Sequence, residues 1–174
     1  MKANTTLRTA LIGALCLTGA LLATAAKPAD QTTGNNILAG TWSLVAADVI
    51  RPDGSRARDY GAAPSGSLMI DSQGRYSLQI FKAERPRFAS GNKLTGTPAE
   101  FEAAVLGSST HFGTVSVDQA EKTITFSVQG ASFPNWDGER QTRRYELKGD
   151  ELSYRLAARP DGNVPISVWK RMRG

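Results

Sequence analysis

The chain has 174 residues with a formal net charge of +5, one cysteine and one histidine. A chain of this length with no internal repeat is expected to form one domain with a hydrophobic core. Its arginines and lysines are scattered among acidic residues, which argues against nucleic-acid binding. A single histidine cannot build a histidine-based metal cluster, and the sequence has no phosphate-binding loop or nucleophile elbow, so we expect no metal and no cofactor.

The first 25 residues have the pattern of an export signal. Lys2 and Arg8 give a positive n-region, residues 11–22 an apolar h-region, and residues 23–25 a small-residue cleavage site. A retained membrane anchor is the alternative, but an apolar run of about a dozen residues is shorter than the roughly 20 needed to span a bilayer. We therefore expect cleavage and a periplasmic or secreted protein with no stable membrane insertion.

Cleavage of the signal would determine the start, the cysteine content and the net charge of the mature protein. The mature protein would begin near Ala26 and would have no cysteine after the loss of Cys16, so thiol chemistry and disulfides are excluded. Its formal net charge would fall from +5 to +3 because the signal carries two positive charges. Residues 26–37 are polar and without periodicity, as in a flexible leader, and residues 38–173 form the domain. We expect a monomer or a weak dimer.

The domain consists of eight β-rich segments separated by turn sequences such as Asp53-Gly54 and Gly149-Asp150. The segments cover residues 41–50, 66–71, 75–83, 110–118, 123–131, 140–148, 151–158 and 165–171. An eight-stranded meander removes its two exposed edges by closing on itself. The sequence therefore predicts an all-β, eight-stranded antiparallel up-and-down barrel, whose interior is either filled or holds one small ligand.

One insertion interrupts the strands. Thr97-Pro98-Ala99-Glu100 has capping-box spacing with proline at the first helical position, and Phe101, Ala104 and Val105 follow at helical intervals. This pattern predicts a short amphipathic helix over residues 97–107, between the third and fourth strands. Such long insertions are typical of lids or binding loops, and a helix that plugs one end of the barrel is the alternative.

Alternate residues of a strand point to the same face, so the interior can be assigned by parity. The interior positions by this rule are Leu68, Ile70, Tyr76, Leu78, Ile80, Val115, Val117, Ile124, Phe126, Val128, Tyr145, Leu147, Leu152, Tyr154 and Leu156. Gln141 and Arg143 have the parity of Tyr145, so we expect an arginine inside the barrel. A buried arginine needs a partner, which is either another protein group or a ligand.

Parity also bears on whether two further titratable residues, His111 and Asp48, point into the barrel. His111 shares parity with the apolar residues of its strand and should point inward or lie at the rim, either as a packing residue or as a general acid or base. Asp48 has the parity of Trp42, but Val45 and Val49 have the opposite phase, so the first strand is ambiguous.

Gly40-Thr41-Trp42, at the start of the first strand, resembles the Gly-x-Trp signature of lipocalins. Trp169-Lys170-Arg171 resembles the end of the last lipocalin strand. In lipocalins an arginine at that place packs across the tryptophan of the Gly-x-Trp signature, which is Trp42 in this chain. Over roughly residues 38–172 the chain is similar to the bacterial and fungal lipocalin-like domain family. The further segments that carry this resemblance are Gly66-Ser67-Leu68, residues 71–77, Arg85-Pro86-Arg87-Phe88, and Phe133-Pro134-Asn135-Trp136 followed by Gly138, Gln141 and Arg143.

The resemblance implies a small calycin-type barrel with a central pocket and no settled activity, in which Gly40, Trp42 and Arg171 have structural roles. The family commonly carries an aromatic residue where this chain has His111, and often a histidine where it has Thr125-Phe126. These departures argue against an inherited acid–base role.

We therefore favour an exported lipocalin-like protein that binds a small, mostly apolar molecule, such as a lipophilic acid. The residues expected to contact the ligand are Tyr76, His111, Trp136, Gln141, Arg143, Tyr145 and Tyr154. The alternative is a small isomerase or cyclase in which His111 moves a proton and Arg143 stabilises an oxyanion, although a second base is missing. A third interpretation is a filled barrel without a ligand. Binding is favoured over catalysis, and the favoured function assigns no catalytic residue.

Overall fold

A computed structural model of the protein describes residues 36–173, so the predicted signal peptide, Cys16 and most of the predicted leader lie outside the described residues. The elements in chain order are β1 (Gly40–Ile50), β2 (Arg56–Ala57), β3 (Ser65–Ile70), β4 (Arg75–Phe81), α1 (Pro98–Leu106), β5 (Ser108–Asp118), β6 (Thr123–Ala131), a 3-10 helix (Pro134–Trp136), β7 (Arg140–Lys148), β8 (Glu151–Arg155) and β9 (Val164–Arg171). Within this part of the chain, no helix has the length and apolar character required to cross a membrane.

The strands form one closed antiparallel sheet. From β3 to β9 each strand pairs with the next, and β1 pairs with both β3 and β9. The closing pair extends from Trp42 opposite Arg171 to Ile50 opposite Val164. The predicted eight-stranded up-and-down barrel is therefore confirmed.

A short additional strand is the main difference from the predicted order of elements. β2 pairs with the end of β1, where Val49 lies opposite Ala57, whereas β3 pairs with the start of β1. The helix consequently lies between β4 and β5, which correspond to the third and fourth predicted strands.

The helix α1 is capped as the sequence predicts but is not buried. Thr97 and Glu100 form the reciprocal capping box, and Pro98 occupies the first turn. None of its residues is buried, and Phe101 packs edge to face against Phe88 of the preceding loop, with ring centroids 5.3 Å apart. The absence of a buried face on α1 favours a lid or binding loop over a plug, the two alternatives that the sequence left open. Local capping stabilises this helix without a buried face.

The ambiguity in β1 has a structural cause. The pairing with β9 shifts register between Leu44 and Ala46, which is a β-bulge. A bulge adds one residue and reverses the alternation of faces beyond it. Ala47 consequently joins the core, whereas Asp48 pairs with Arg56 of β2, with Oδ2 and Nε 2.6 Å apart. The bulge therefore explains the ambiguity: Trp42 before it and Val49 after it are both buried although their parities differ, and Asp48 is buried beside Arg56.

In the up-and-down topology, the short turns between strands lie at one end of the barrel and the long connections lie at the other. The closed end collects the tight turns at residues 71–74, 119–122 and 149–150, together with the start of β1 and the end of β9. The other end, here called the mouth, collects the longer connections at residues 51–64, 82–107, 132–139 and 156–163. Most of the predicted interior residues form the core between these ends, with Val117, Leu147 and Leu156 partly buried against it.

Trp42 and Arg171 seal the closed end. The Trp42 side chain is fully buried, and its Nε1 donates a hydrogen bond to the Leu38 carbonyl at 3.0 Å. The Arg171 guanidinium carbon lies 4.0 Å from the Trp42 ring centroid, as the resemblance implied. Gly40 leaves room for this arginine, because a Cβ at that position would lie 2.9 Å from Arg171 Nη1.

Candidate functional site

Arg143 lies inside the barrel on β7 and is 7% exposed. Its guanidinium carbon lies 4.6 Å from the Phe126 ring centroid and 5.1 Å from that of Tyr154. Its Nη2 donates a hydrogen bond of 2.5 Å to Oε1 of Gln141, which is partly buried. Burial lowers the pKa of Arg143, but an arginine side chain stays protonated in proteins. The β-strand alternation thus places a positive charge among aromatic rings.

Arg143 has no carboxylate partner among residues 36–173. The ion pairs in this part of the chain join Asp48 to Arg56, Asp71 to Arg75, Glu146 to Lys148, Asp59 to Arg159, and Asp150 to Arg173. Removing an ion from water costs several kcal/mol unless another charge compensates it. The two ring faces and the amide of Gln141 offset only part of this cost.

His111 and Tyr76 form a second polar pair beside Arg143. The Tyr76 hydroxyl and His111 Nδ1 share a hydrogen bond of 2.7 Å. Burial and, to a smaller extent, the positive charge of Arg143 lower the pKa of His111 to about 3. Burial also raises the pKa of Tyr76. Both side chains are therefore neutral at physiological pH.

A β-bulge and a glycine lie close to His111. The pairing of β5 with β6 shifts register between Phe112 and Gly113. Gly113 has φ of 156°, and a Cβ there would lie 2.1 Å from the Ser127 carbonyl oxygen. Only glycine allows this close approach of the two strands, two residues after His111 on β5.

Aromatic side chains connect this pair to the mouth. Trp136 of the 3-10 helix packs edge to face against His111, with ring centroids 6.0 Å apart, and Phe133 packs against Trp136 at 5.5 Å. Trp136 is partly exposed. Phe126 lies on the inner side, 4.9 Å from the Tyr76 ring and 5.6 Å from the His111 ring. We call Tyr76, His111, Phe126, Gln141, Arg143 and Tyr154 the arginine cluster.

Tyr154 continues the cluster toward β9. Its ring lies 6.4 Å from that of Trp169, and it is paired across the strands with Ser167. Phe126, Ser167 and Trp169 were not among the predicted ligand-contacting residues, although parity placed Phe126 in the interior. The available signal was that Ser167 and Trp169 share the parity of Arg171, which the resemblance placed across the ring of Trp42.

Tyr145 pairs across the strands with Tyr154 but makes none of the ring or hydrogen-bond contacts that join the arginine cluster. It is buried on the same face as Arg143, but its backbone N–H donates to the Lys122 carbonyl in the turn at the closed end. Burial and the nearby negative charge of Asp118 raise the pKa of Tyr145. The arginine cluster thus brings together six residues, five of which the sequence analysis had selected, while Trp136 borders it and Tyr145 lies closer to the other end.

Two surface depressions lie near the mouth and on the outer wall. The first, of about 290 Å³, separates α1 from the segment that follows β4 and is bordered by Lys82, Glu84 and Leu106. The second, of about 310 Å³, lies beside the exposed ring of Phe112 and reaches His111. Neither is lined by Arg143.

A closed up-and-down barrel whose interior encloses a polar cluster among aromatic rings is the architecture of lipocalin-type binding proteins. A family model described as a lipocalin-like domain matches residues 39–172, and the chain belongs to this family. Comparisons with curated proteins and with solved structures gave no match.

Proposed function

We propose that this protein binds a small, mostly apolar acid inside its barrel, with the acid group against Arg143 and Gln141. The observation that carries this proposal is the buried guanidinium, which has no carboxylate partner within residues 36–173. An organic anion supplies the missing charge, and a guanidinium can form two directed hydrogen bonds to a carboxylate. The acid group would thus form the fixed end of the ligand.

The rest of the ligand would contact aromatic surface. Trp136 and Phe126 offer apolar ring faces and edges, and the neutral pair of Tyr76 and His111 offers a single polar contact beside them. Small-molecule sites typically combine a mainly apolar lining with a few fixed polar groups. This combination favours a lipophilic acid over a sugar or a nucleotide.

The same cluster argues against a proton-transfer enzyme. An efficient general base has a pKa near the working pH, whereas burial and Arg143 lower the pKa of His111 to about 3. The carboxylates of the five ion pairs in residues 36–173 are engaged with other cations. We therefore infer binding without catalysis as the main function.

We also propose that the protein acts outside the cytoplasm, as a monomer or weak dimer, after cleavage near Ala26. This part rests on residues 1–25, whose sequence has the n-, h- and cleavage regions of an export signal. Mass spectrometry of the protein made in a Gram-negative host should give a soluble chain that begins at or near Ala26. An intact Met1 in the membrane fraction would contradict the export proposal.

The binding proposal can be tested by tryptophan fluorescence titration with medium-chain and aromatic carboxylic acids, each beside its primary amide. We expect saturable binding of at least one acid. Arg143→Met should weaken the acid by about 2 kcal/mol or more, because a desolvated charge-assisted contact is lost, and should leave the amide unchanged. Arg144→Met is the matched control, since Arg144 is the exposed neighbour on the same strand. Equal acid affinity in wild type and Arg143→Met would refute the proposed role of Arg143.

A further inference from the structure

A second group of hydrogen-bond donors lies on the Tyr154 side of Arg143. The Tyr154 hydroxyl and the Trp169 indole Nε1 are buried and make no hydrogen bond of regular geometry among the described residues, although the Trp169, Ser167 and Arg143 side chains lie near enough to the hydroxyl to affect its pKa. Tyr154 is 1% exposed and Trp169 is 0% exposed. Burial raises the pKa of Tyr154, whereas the neighbouring side chains of Arg143, Trp169 and Ser167 each act to lower it. These four polar groups therefore meet in one enclosed place.

None of these four groups carries a negative charge. Arginine and the tryptophan indole can only donate hydrogen bonds, whereas the two hydroxyls can donate or accept. A buried donor without an acceptor costs about 1–3 kcal/mol, and a buried cation without a counter-charge costs more. A water molecule could accept from the donors, but it would leave the charge of Arg143 uncompensated. An anion satisfies both requirements.

We propose that, in the ligand-free protein, a small inorganic monoanion of the chloride class binds between the Arg143 guanidinium, the Tyr154 hydroxyl and the Trp169 indole N–H. One negative charge matches the single buried cation, whereas a divalent oxyanion would leave an excess buried charge. The tight aromatic surroundings favour a compact ion. Where the proposed organic acid binds at Arg143, it displaces this anion, and that last step alone rests on the proposed function.

The test uses the ligand-free protein produced from the full chain, at constant ionic strength, with sodium gluconate replaced stepwise by sodium chloride or sodium bromide. The thermal midpoint should rise saturably with either halide. Tyr154→Phe and Trp169→Phe each remove one donor and should weaken the apparent halide affinity about tenfold. Tyr145→Phe is the matched control, because its hydroxyl is also buried without a partner and the residue lies opposite Tyr154, but the charge that acts on it is that of Asp118 rather than Arg143, so the halide affinity should be unchanged.

Crystals grown with bromide supply a second measurement that does not depend on variants. We expect an anomalous peak within contact distance of Arg143, Tyr154 and Trp169. A thermal midpoint that does not change as halide replaces gluconate, or a water molecule in place of the anomalous peak, would overturn the proposal.

The organic acid separates this proposal from the proposed function. Its apparent Kd should rise in proportion to chloride concentration above the halide Kd. Halide binding without any acid binding would refute the proposed function and leave the anion site standing. Acid binding that chloride does not affect, with no halide signal, would refute the anion site alone.

Discussion

Arg171 covers the ring of Trp42 from the last strand, with its guanidinium carbon 4.0 Å from the ring centroid. The same guanidinium donates hydrogen bonds to the carbonyls of Ala39 at 2.5 Å and Ile37 at 2.9 Å. One side chain therefore joins the end of β9, the start of β1 and the segment that precedes it. The first and last strands are held together by this contact in addition to their backbone pairing.

Trp42→Ala should lower the free energy of unfolding by about 3–5 kcal/mol, the usual cost of truncating a fully buried large aromatic residue. Arg171→Ala should cost less, about 1–3 kcal/mol, because it leaves two backbone carbonyls short of a donor. Urea unfolding measures both. Arg173→Ala is the control: its side chain is 82% exposed and pairs with Asp150 at the surface, so no measurable change is expected. An unchanged midpoint for Trp42→Ala would contradict the role of this residue at the closed end.

Parity predicted the barrel faces well wherever the strands are regular. It placed Arg143 and His111 inside from sequence alone, and both are buried. It gave no clear assignment in β1, because one additional residue at the bulge between Leu44 and Ala46 reverses the phase beyond it. A bulge is set by how two strands pair, and the sequence of one strand does not show it.

Parity also gives the face of a residue but not its height along the barrel axis. Tyr145 and Arg143 share a face, yet Tyr145, opposite Tyr154 in the sheet, lies one step nearer the closed end, while the Arg143 guanidinium lies over the Tyr154 ring and beside His111. Height depends on the strand register and the tilt of the strands, which follow from closure of the whole sheet. The lack of an acidic partner for Arg143 was equally unpredictable, because Asp48 finds its own partner only through β2.

Arg143→Met should raise the free energy of unfolding of the ligand-free protein by about 1–4 kcal/mol in chloride-free buffer. Replacing a buried charge by an apolar side chain of similar size removes its desolvation cost. Such a gain would mark an arginine retained for binding at the expense of stability. Arg144→Met, at the exposed neighbouring position, should leave the stability unchanged. A loss of stability comparable to a core truncation would instead mean that the guanidinium is required for packing against Phe126 and Tyr154.

The buried imidazole predicts a specific pH dependence of stability. The pKa of His111 is about 3 in the folded protein, below its ordinary value of 6.5. The unfolded chain therefore binds more protons than the folded protein between these two values, so stability falls as the pH falls through this window. The contribution of His111 should decrease by about 2 kcal/mol between pH 7 and pH 5.

Urea unfolding of wild type and His111→Gln at both pH values isolates this contribution, because the carboxylates titrate in both proteins. The wild type should lose more stability than the variant, by about 2 kcal/mol. Arg143→Met should in addition raise the pKa of His111 measured by NMR, since the guanidinium is the second cause of the low value. Identical pH dependence in wild type and His111→Gln would show that the imidazole titrates normally.

The effect of His111→Gln on ligands separates a binding protein from an enzyme. Glutamine keeps an amide that can hydrogen-bond to the Tyr76 hydroxyl, so a binder should lose less than about tenfold in affinity for an acid, the equivalent of one neutral hydrogen bond. An enzyme that uses the imidazole for proton transfer should lose about 100-fold or more in rate.

Tyr76→Phe is the companion variant, since it removes the hydroxyl but keeps the ring that packs against Phe126. We expect both variants to bind the acid nearly as well as wild type, while Arg143→Met does not. A turnover of any acid by wild type that His111→Gln abolishes would establish the isomerase or cyclase function instead.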